Sequence, residues 1–195
     1  MTRKIVCLVL AFVGAGALGC GTSGNDTGSG VCGESVDRTG YLEGPFGMQV
    51  GDTLANLSFV DSEGNPYALD TVFQDSDARL LLLSTGAGWC TACIEEQPQL
   101  QEWATNYASL GLRVIMTVFE DANTAAATVG YAATWKLQNN LTLPVLVDSE
   151  AKLSAYYDAS QAPMNMIVEA CTMKIVKIIV GADRSAIETI IEAKL

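Results

Sequence analysis

Apolar positions along the chain fall into short blocks separated by polar, Gly- and Asx-rich stretches, and the spacing inside each block predicts its element. Leu80-Leu81-Leu82-Leu83-Ser84 is a continuous apolar run, the pattern of a strand buried on both faces. Leu57 to Val60 and Pro66 to Leu69 predict two short strands around the polar turn Asp61-Ser62-Glu63-Gly64-Asn65. Leu112 to Val118, Leu143 to Val147 and Met164 to Glu169 predict further strands, and the alternation of Lys174 to Val180 suits a hairpin partner for the last. Between them, Cys90 to Ser109 predicts a helix with a buried stripe of Leu100, Trp103 and Tyr107, ended by Gly111. Pro98 removes an amide donor and clashes with the Ile94 carbonyl, which predicts a kink. Asn123 to Asn139 predicts an Ala-rich helix, Glu150 to Tyr157 a short one, and Ser185 to Ala193 an amphipathic one. Strands alternating with helices and closing on a hairpin imply an α/β fold: a central mixed β-sheet with helices on both faces.

The first residues do not belong to that pattern. Met1-Thr2-Arg3-Lys4 followed by apolar Ile5 to Leu18 has the form of an export signal; the run falls short of the ~20 residues a membrane span needs and is diluted by Gly14, Gly16 and Gly19. Ala17-Leu18-Gly19-Cys20 resembles the bacterial lipobox, which would make Cys20 a lipidated first residue. Ordinary signal-peptidase cleavage after Ala15-Gly16-Ala17 is the alternative. Gly21 to Gly30 has linker composition and residues 31–47 are irregular. The expected organisation is a signal peptide over 1–19, an anchor cysteine with linker and lead-in over 20–47, and one domain over 48–195.

Composition adds two limits. With 195 residues and 49% apolar content the chain can bury a full core as a single domain. A formal net charge of −11 disfavours a nucleic-acid partner and otherwise serves solubility.

The chemistry is concentrated in Trp89-Cys90-Thr91-Ala92-Cys93, at the junction of the buried strand and the long helix. A cysteine opening a helix meets unpaired amides and the positive end of the helix dipole, which favour the thiolate. Cys90 is therefore the expected nucleophile, and Cys93, one turn on, is placed to attack a mixed disulfide on it. Zinc ligation or a plain crosslink is the alternative, but zinc needs a second ligand pair, and the chain has no His and no second Cys-x-x-Cys. No metal and no cofactor is expected. Export places the cysteines in an oxidising compartment; setting aside Cys7 and Cys20 leaves Cys32 and Cys171, either bridged or as two free thiols.

From about residue 48 onward the chain resembles the TlpA/ResA branch of extracytoplasmic thiol-disulfide oxidoreductases, thioredoxin-like proteins of the AhpC/TSA-redoxin superfamily. Trp89, Cys90, Cys93, Glu96, Pro98 and Leu100 fill that branch's Trp-Cys-x-x-Cys-x-x-Glu-x-Pro-x-Leu motif. Tyr157 to Pro163, followed by apolar Met166-Ile167-Val168, resembles its Tyr-Gly-Val-x-x-x-Pro segment, whose proline is cis and lies against the cysteines. The helix between the Val118 and Val145 strands resembles the branch's insertion into the thioredoxin-like fold. The resemblance implies a thiol-disulfide oxidoreductase with Cys90 as nucleophile, Cys93 as resolving cysteine and Glu96 as a proton-handling group. Trp89, Ala162 and Pro163 would dock the substrate. A solvated helix glutamate is the alternative for Glu96, and a loop proline for Pro163. Ser84 stands where thioredoxin itself has a buried aspartate, which leaves Glu96 as the nearby base.

Reductase is the direction the resemblance implies, acting on exported thiol or disulfide proteins such as an apo-cytochrome, with a membrane electron-transfer partner and a lipid anchor to the membrane. Thr91-Ala92 lacks the proline frequent between such cysteines, and this dipeptide tunes the potential. Cys171 occupies a turn where the family often has Asp-x-x-Gly. A peroxiredoxin-type thiol peroxidase is a competing class, but Ser84 to Cys90 does not supply Pro-x-x-x-Thr-x-x-Cys. Cu(I) handling by a thioredoxin-fold protein is another; the histidine that completes such sites is absent, leaving soft ligation by Cys90 and Cys93 alone.

Overall fold

A computed structural model describes Cys32 and residues 36–195. The expected export signal, Cys20 and the linker over Gly21 to Gly30 lie outside the described residues. Seven strands form one mixed sheet in the order β2-β1-β5-β4-β3-β6-β7: β1 (Ser58–Asp61), β2 (Pro66–Ala68), β3 (Leu80–Gly86), β4 (Leu112–Val118), β5 (Val145–Val147), β6 (Met164–Glu169) and β7 (Lys174–Val180). Central β3 runs parallel to β4 and antiparallel to β6, and β6 pairs with β7 as the expected hairpin. Buried on both sides, β3 divides its leucines by the two-residue period of a strand. Leu80 and Leu82 pack with Leu100 and Trp103 of α2 (Thr91–Asn106), Trp135 of α3 (Val129–Gln138) and Ile187 of α4 (Arg184–Lys194). Leu81 and Leu83 pack on the other face with Phe73 of α1 (Asp70–Gln74), Leu54 and Phe59. This is the thioredoxin-like arrangement, and Trp103 is core as expected.

Several elements depart from the sequence pattern. The helix expected from Asn123 begins only at Val129. The Asp121 carboxylate accepts the amides of Asn123 and Ala125, holding a turn there, and Thr128 caps the helix by accepting the Tyr131 amide. The segment expected as a helix over Glu150 to Tyr157 is instead a 3-10 turn at Lys152–Ala155, followed by another at Ala159–Gln161. Helix α1 has five residues, too few to carry a helical period. The long helix stops at Asn106, then a 3-10 turn at Ala108–Leu110 ends on Gly111 at φ 101°. A Cβ on Gly111 would lie 2.7 Å from the Asp77 carbonyl oxygen, so the stop needs glycine in both conformation and space.

The lead-in clasps the sheet face that carries α1. Arg38 donates to the carbonyls of Phe73, Asp75 and Ala78, and Tyr41 donates to the Leu54 carbonyl at 2.7 Å with its ring edge-on to Phe73. A disulfide joins Cys32 to Cys171, with Cα atoms 5.6 Å apart and a sequence separation of 139. It lies beside Arg79, just before β3 begins, because the Ala170 amide donates to the Arg79 carbonyl. Among the described residues no helix is long and apolar enough to cross a membrane.

Candidate active site

Strand β3 delivers its last residues, Ser84, Thr85 and Gly86, fully buried to the edge of the site. Gly86 has no room for a side chain: a Cβ would sit 2.8 Å from Cys93 Cβ and 3.0 Å from Cys93 Sγ. At Gly88 a Cβ would lie 2.0 Å from the Tyr131 hydroxyl of α3 and 2.5 Å from the Ala122 amide nitrogen. Gly86 thus lets β3 press against Cys93, and Gly88 lets the loop into the cysteines press against the segment between β4 and α3 and against α3 itself.

Cys90 is the N-cap of α2, and its Sγ accepts the Cys93 amide at 3.1 Å. That amide is one of the donors a helix leaves unpaired at its start, so the same geometry would stabilise a Cys90 thiolate. In the structure Cys90 and Cys93 form a disulfide, with Cα atoms 5.2 Å apart. Cys93 is fully buried and Cys90 nearly so. From the other side, Cys90 Sγ lies 3.4 Å from the carbonyl oxygen of Ala162, and the Ala162–Pro163 peptide bond is cis. Pro163 is buried and its carbonyl is taken by the Gly181 amide at 2.7 Å, whereas Ala162 is half-buried. Of the two, Ala162 is the residue that offers surface beside the cysteines.

Trp89 forms the rim at 38% exposed. Its ring stands edge-on to Phe119, and its Nε1 donates to Glu120 Oε2 at 2.7 Å. Glu96 follows Cys93 by three residues, about one turn along the same face of α2. It is buried while its neighbour Glu95 is exposed, and Oε1 accepts the side-chain amide of Asn165 at 2.8 Å. Asn165 sits on β6 directly opposite Ser84, so both side chains share a sheet face. Burial pushes the Glu96 carboxyl up to about 7, with the Asn165 hydrogen bond pulling the other way.

Two buried polar neighbours of these residues carry no signal in the motif. Gln97 is fully buried: its Nε2 donates to the Cys93 carbonyl at 2.6 Å, and its Oε1 accepts Trp135 Nε1 at 3.1 Å. It couples Cys93 to α3. Asn165 is the other, visible in the sequence only as a polar residue inside an apolar strand. Among the described residues no group of three or more His, Cys, Asp or Glu side chains is placed to hold a metal ion.

The arrangement can cycle between dithiol and disulfide, with an amide-stabilised outer sulfur, a buried inner sulfur and a carboxyl of near-neutral pKa beside them. A sequence profile of the AhpC/TSA family matches residues 50–182. The thioredoxin-like protein YneN of Bacillus subtilis strain 168 is 27% identical over 130 residues, spanning 66% of this chain and 71% of the relative. Among solved structures, a Chlorobium tepidum protein assigned as a thiol:disulfide interchange protein DsbE is similar with a TM-score of 0.63 and 20% identity. The match covers 76% of this chain and 99% of that one. The exposed lipoprotein thioredoxin Etrx1 of Streptococcus pneumoniae TIGR4 is similar with a TM-score of 0.57 and 23% identity, covering 71% of this chain and 99% of that one.

Proposed function

The chain belongs to the AhpC/TSA family, as a TlpA/ResA-like thioredoxin-fold thiol-disulfide oxidoreductase, and on that premise we propose that it is an exported reductase of protein disulfides. The observation that carries the reading is the Cys90–Cys93 disulfide at the start of α2, with the Cys93 amide directed at Cys90 Sγ. In the reduced protein, Cys90 thiolate attacks a substrate disulfide; a Cys90–substrate bond forms and one substrate thiolate leaves. Cys93 then yields its proton to the Glu96 carboxylate and attacks Cys90 Sγ. The internal disulfide forms, the second substrate thiolate leaves, and the substrate has gained two electrons. A Glu96 pKa near neutrality matches that task, since a base works best when its pKa lies near the operating pH. Trp89 and Ala162 flank Cys90 as the substrate-facing surface, with Pro163 fixing the loop beneath them.

The export signal, the Cys20 anchor and the linker of residues 21–30 support a cell-envelope location with the domain tethered to a membrane. There, exported thiol proteins are the substrates and a membrane electron carrier restores the dithiol. The experiment is turnover of a protein disulfide by a soluble form starting after Cys20, with the reduction potential of the couple set against thiol buffers. Full activity in Cys90→Ser overturns the mechanism. A potential near thioredoxin's, about −270 mV, supports a reductase, and one near −120 mV makes the protein a disulfide donor instead.

A further inference from the structure

Helix α2 carries three buried polar atoms that have no protein hydrogen-bond partner among the described residues: Glu96 Oε2, Gln99 Nε2 and Trp103 Nε1. Their residues are 6%, 9% and 1% exposed. Spacings of three and four set them in one row along the helix. All three residues line one cavity of about 220 Å³, completed by Ala92 and Glu95 of α2 and, from the β7–α4 junction, by Ala182 and Arg184. Trp89, Ala162 and Pro163 do not border it. An unpaired buried donor or acceptor is costly, because it has lost its water and gained no partner in exchange. A water needs two to four polar partners and takes up roughly 30 Å³. Two donors and one acceptor around this space therefore have the chemistry of a water site, reached by a rotation of the Gln99 amide, the most exposed of the three.

We propose that this cavity holds the water through which Glu96 exchanges its proton with solvent, and that Gln99 and Trp103 are the positioning residues that orient that water. The inference rests on the reading of Glu96 as the proton acceptor for Cys93. After it has taken the Cys93 proton, the Glu96 O–H bond breaks, the proton passes to a lone pair of the water as that water releases one of its own hydrogens to solvent, and the carboxylate and the water are both restored; no electron moves. The Trp103 indole can only donate, and the Gln99 amide nitrogen likewise, so together they fill both lone pairs of a water that donates to the Glu96 carboxylate; when Glu96 is protonated, rotation of the Gln99 amide frees one lone pair to accept the Glu96 O–H. A substrate held on Cys90 covers the Trp89 and Ala162 side, so proton exchange through the cavity continues while the mixed disulfide exists. The charged or titratable groups facing Glu96 are few. Around the cavity they are Glu95 on its own helix and Arg184 from α4, the last paired with Glu102 at 3.5 Å and Glu188 at 3.8 Å; β6 contributes the neutral Asn165, and Cys93 lies one turn earlier on α2.

The test follows the Glu96 carboxyl by carbon-13 NMR across pH in the oxidised protein. It also measures resolution of a Cys90 mixed disulfide with glutathione, in wild type, Glu96→Gln, Gln99→Met, Trp103→Phe and Ala182→Leu. The three cavity variants are expected to raise the Glu96 titration midpoint by roughly half a unit or more, because each removes a donor or displaces the water that stabilises the carboxylate. They are also expected to slow resolution by roughly tenfold. Ala182→Leu fills the cavity from an exposed position and carries the test if the α2 variants do not fold. An unmoved midpoint in the folded variants overturns the water site. Wild-type resolution in Glu96→Gln overturns instead the role of Glu96 on which the site rests.

Discussion

Asn165 on β6 and Glu96 on α2, 69 residues apart in sequence, are joined by one hydrogen bond of 2.8 Å that runs from the sheet to the redox helix. It is the protein partner of a carboxyl that burial holds near 7 against an ordinary value of 4.5. Between those two values the folded protein binds more protons than the unfolded chain, so stability falls as pH rises through that window and the penalty is complete above it. Its size is about 3 kcal/mol, from the shift in pKa. Urea denaturation of the oxidised protein at pH 5 and pH 8 should show this loss in wild type and a flatter profile in Glu96→Gln. Asn165→Leu should move the midpoint higher still. Parallel profiles for wild type and Glu96→Gln would contradict the burial of an ionisable Glu96.

The order of the two sulfurs has its own test. Cys93 is enclosed and Cys90 borders the Ala162 surface, so Cys93→Ser should accumulate a mixed disulfide on Cys90, while Cys90→Ser should form none. Mass spectrometry of the protein after incubation with a disulfide substrate reads both. Adducts on Cys93 in the Cys90→Ser protein would reverse the assignment.

Gly86→Ala places a methyl group against Cys93, and neither the sheet nor α2 can withdraw freely from it. Overpacking of this kind costs about 1–3 kcal/mol. The chemical-denaturation midpoint of the oxidised protein should fall accordingly, and a midpoint equal to wild type would show that the helix start yields more easily than its contacts indicate.

The second disulfide should behave as a fastener independent of the chemistry. Replacing Cys32 and Cys171 together by Ser is expected to cost about 2–5 kcal/mol, the usual range for a crosslink closing a long loop. The Cys90–Cys93 potential should stay as in wild type. A shifted potential would mean that the two ends of β3 communicate.

Much of the sheet is legible in the sequence because its strands are buried on both faces, and Leu80–Leu83, Leu112–Val118 and Met164–Glu169 can be little else. The cysteines and Glu96 are legible because their spacing along α2 is local. Gln97, Asn165 and Glu120 are not, since a polar side chain shows its burial only through a partner brought from elsewhere. Gln97 meets Trp135 across 38 residues, and Glu120 meets Trp89 across 31. The late start of α3 was hidden for a related reason: the alanines after Asn123 favour helix, but one carboxylate, Asp121, captures the amides that would have begun it.

Strand β6 has Pro163 at one end and Cys171 beyond the other, six strand residues and roughly 20 Å away at about 3.3 Å per residue. The chain ahead of Cys32 is thereby fastened at the end of the sheet remote from Cys90. A pull on that segment, from a membrane, a bead or a chip surface, is borne by the Cys32–Cys171 crosslink and the strand ends beside it, leaving α2 unloaded. The reactive pair lies at the other end of β6 from that crosslink, so the fastening and the chemistry occupy opposite ends of the same strand.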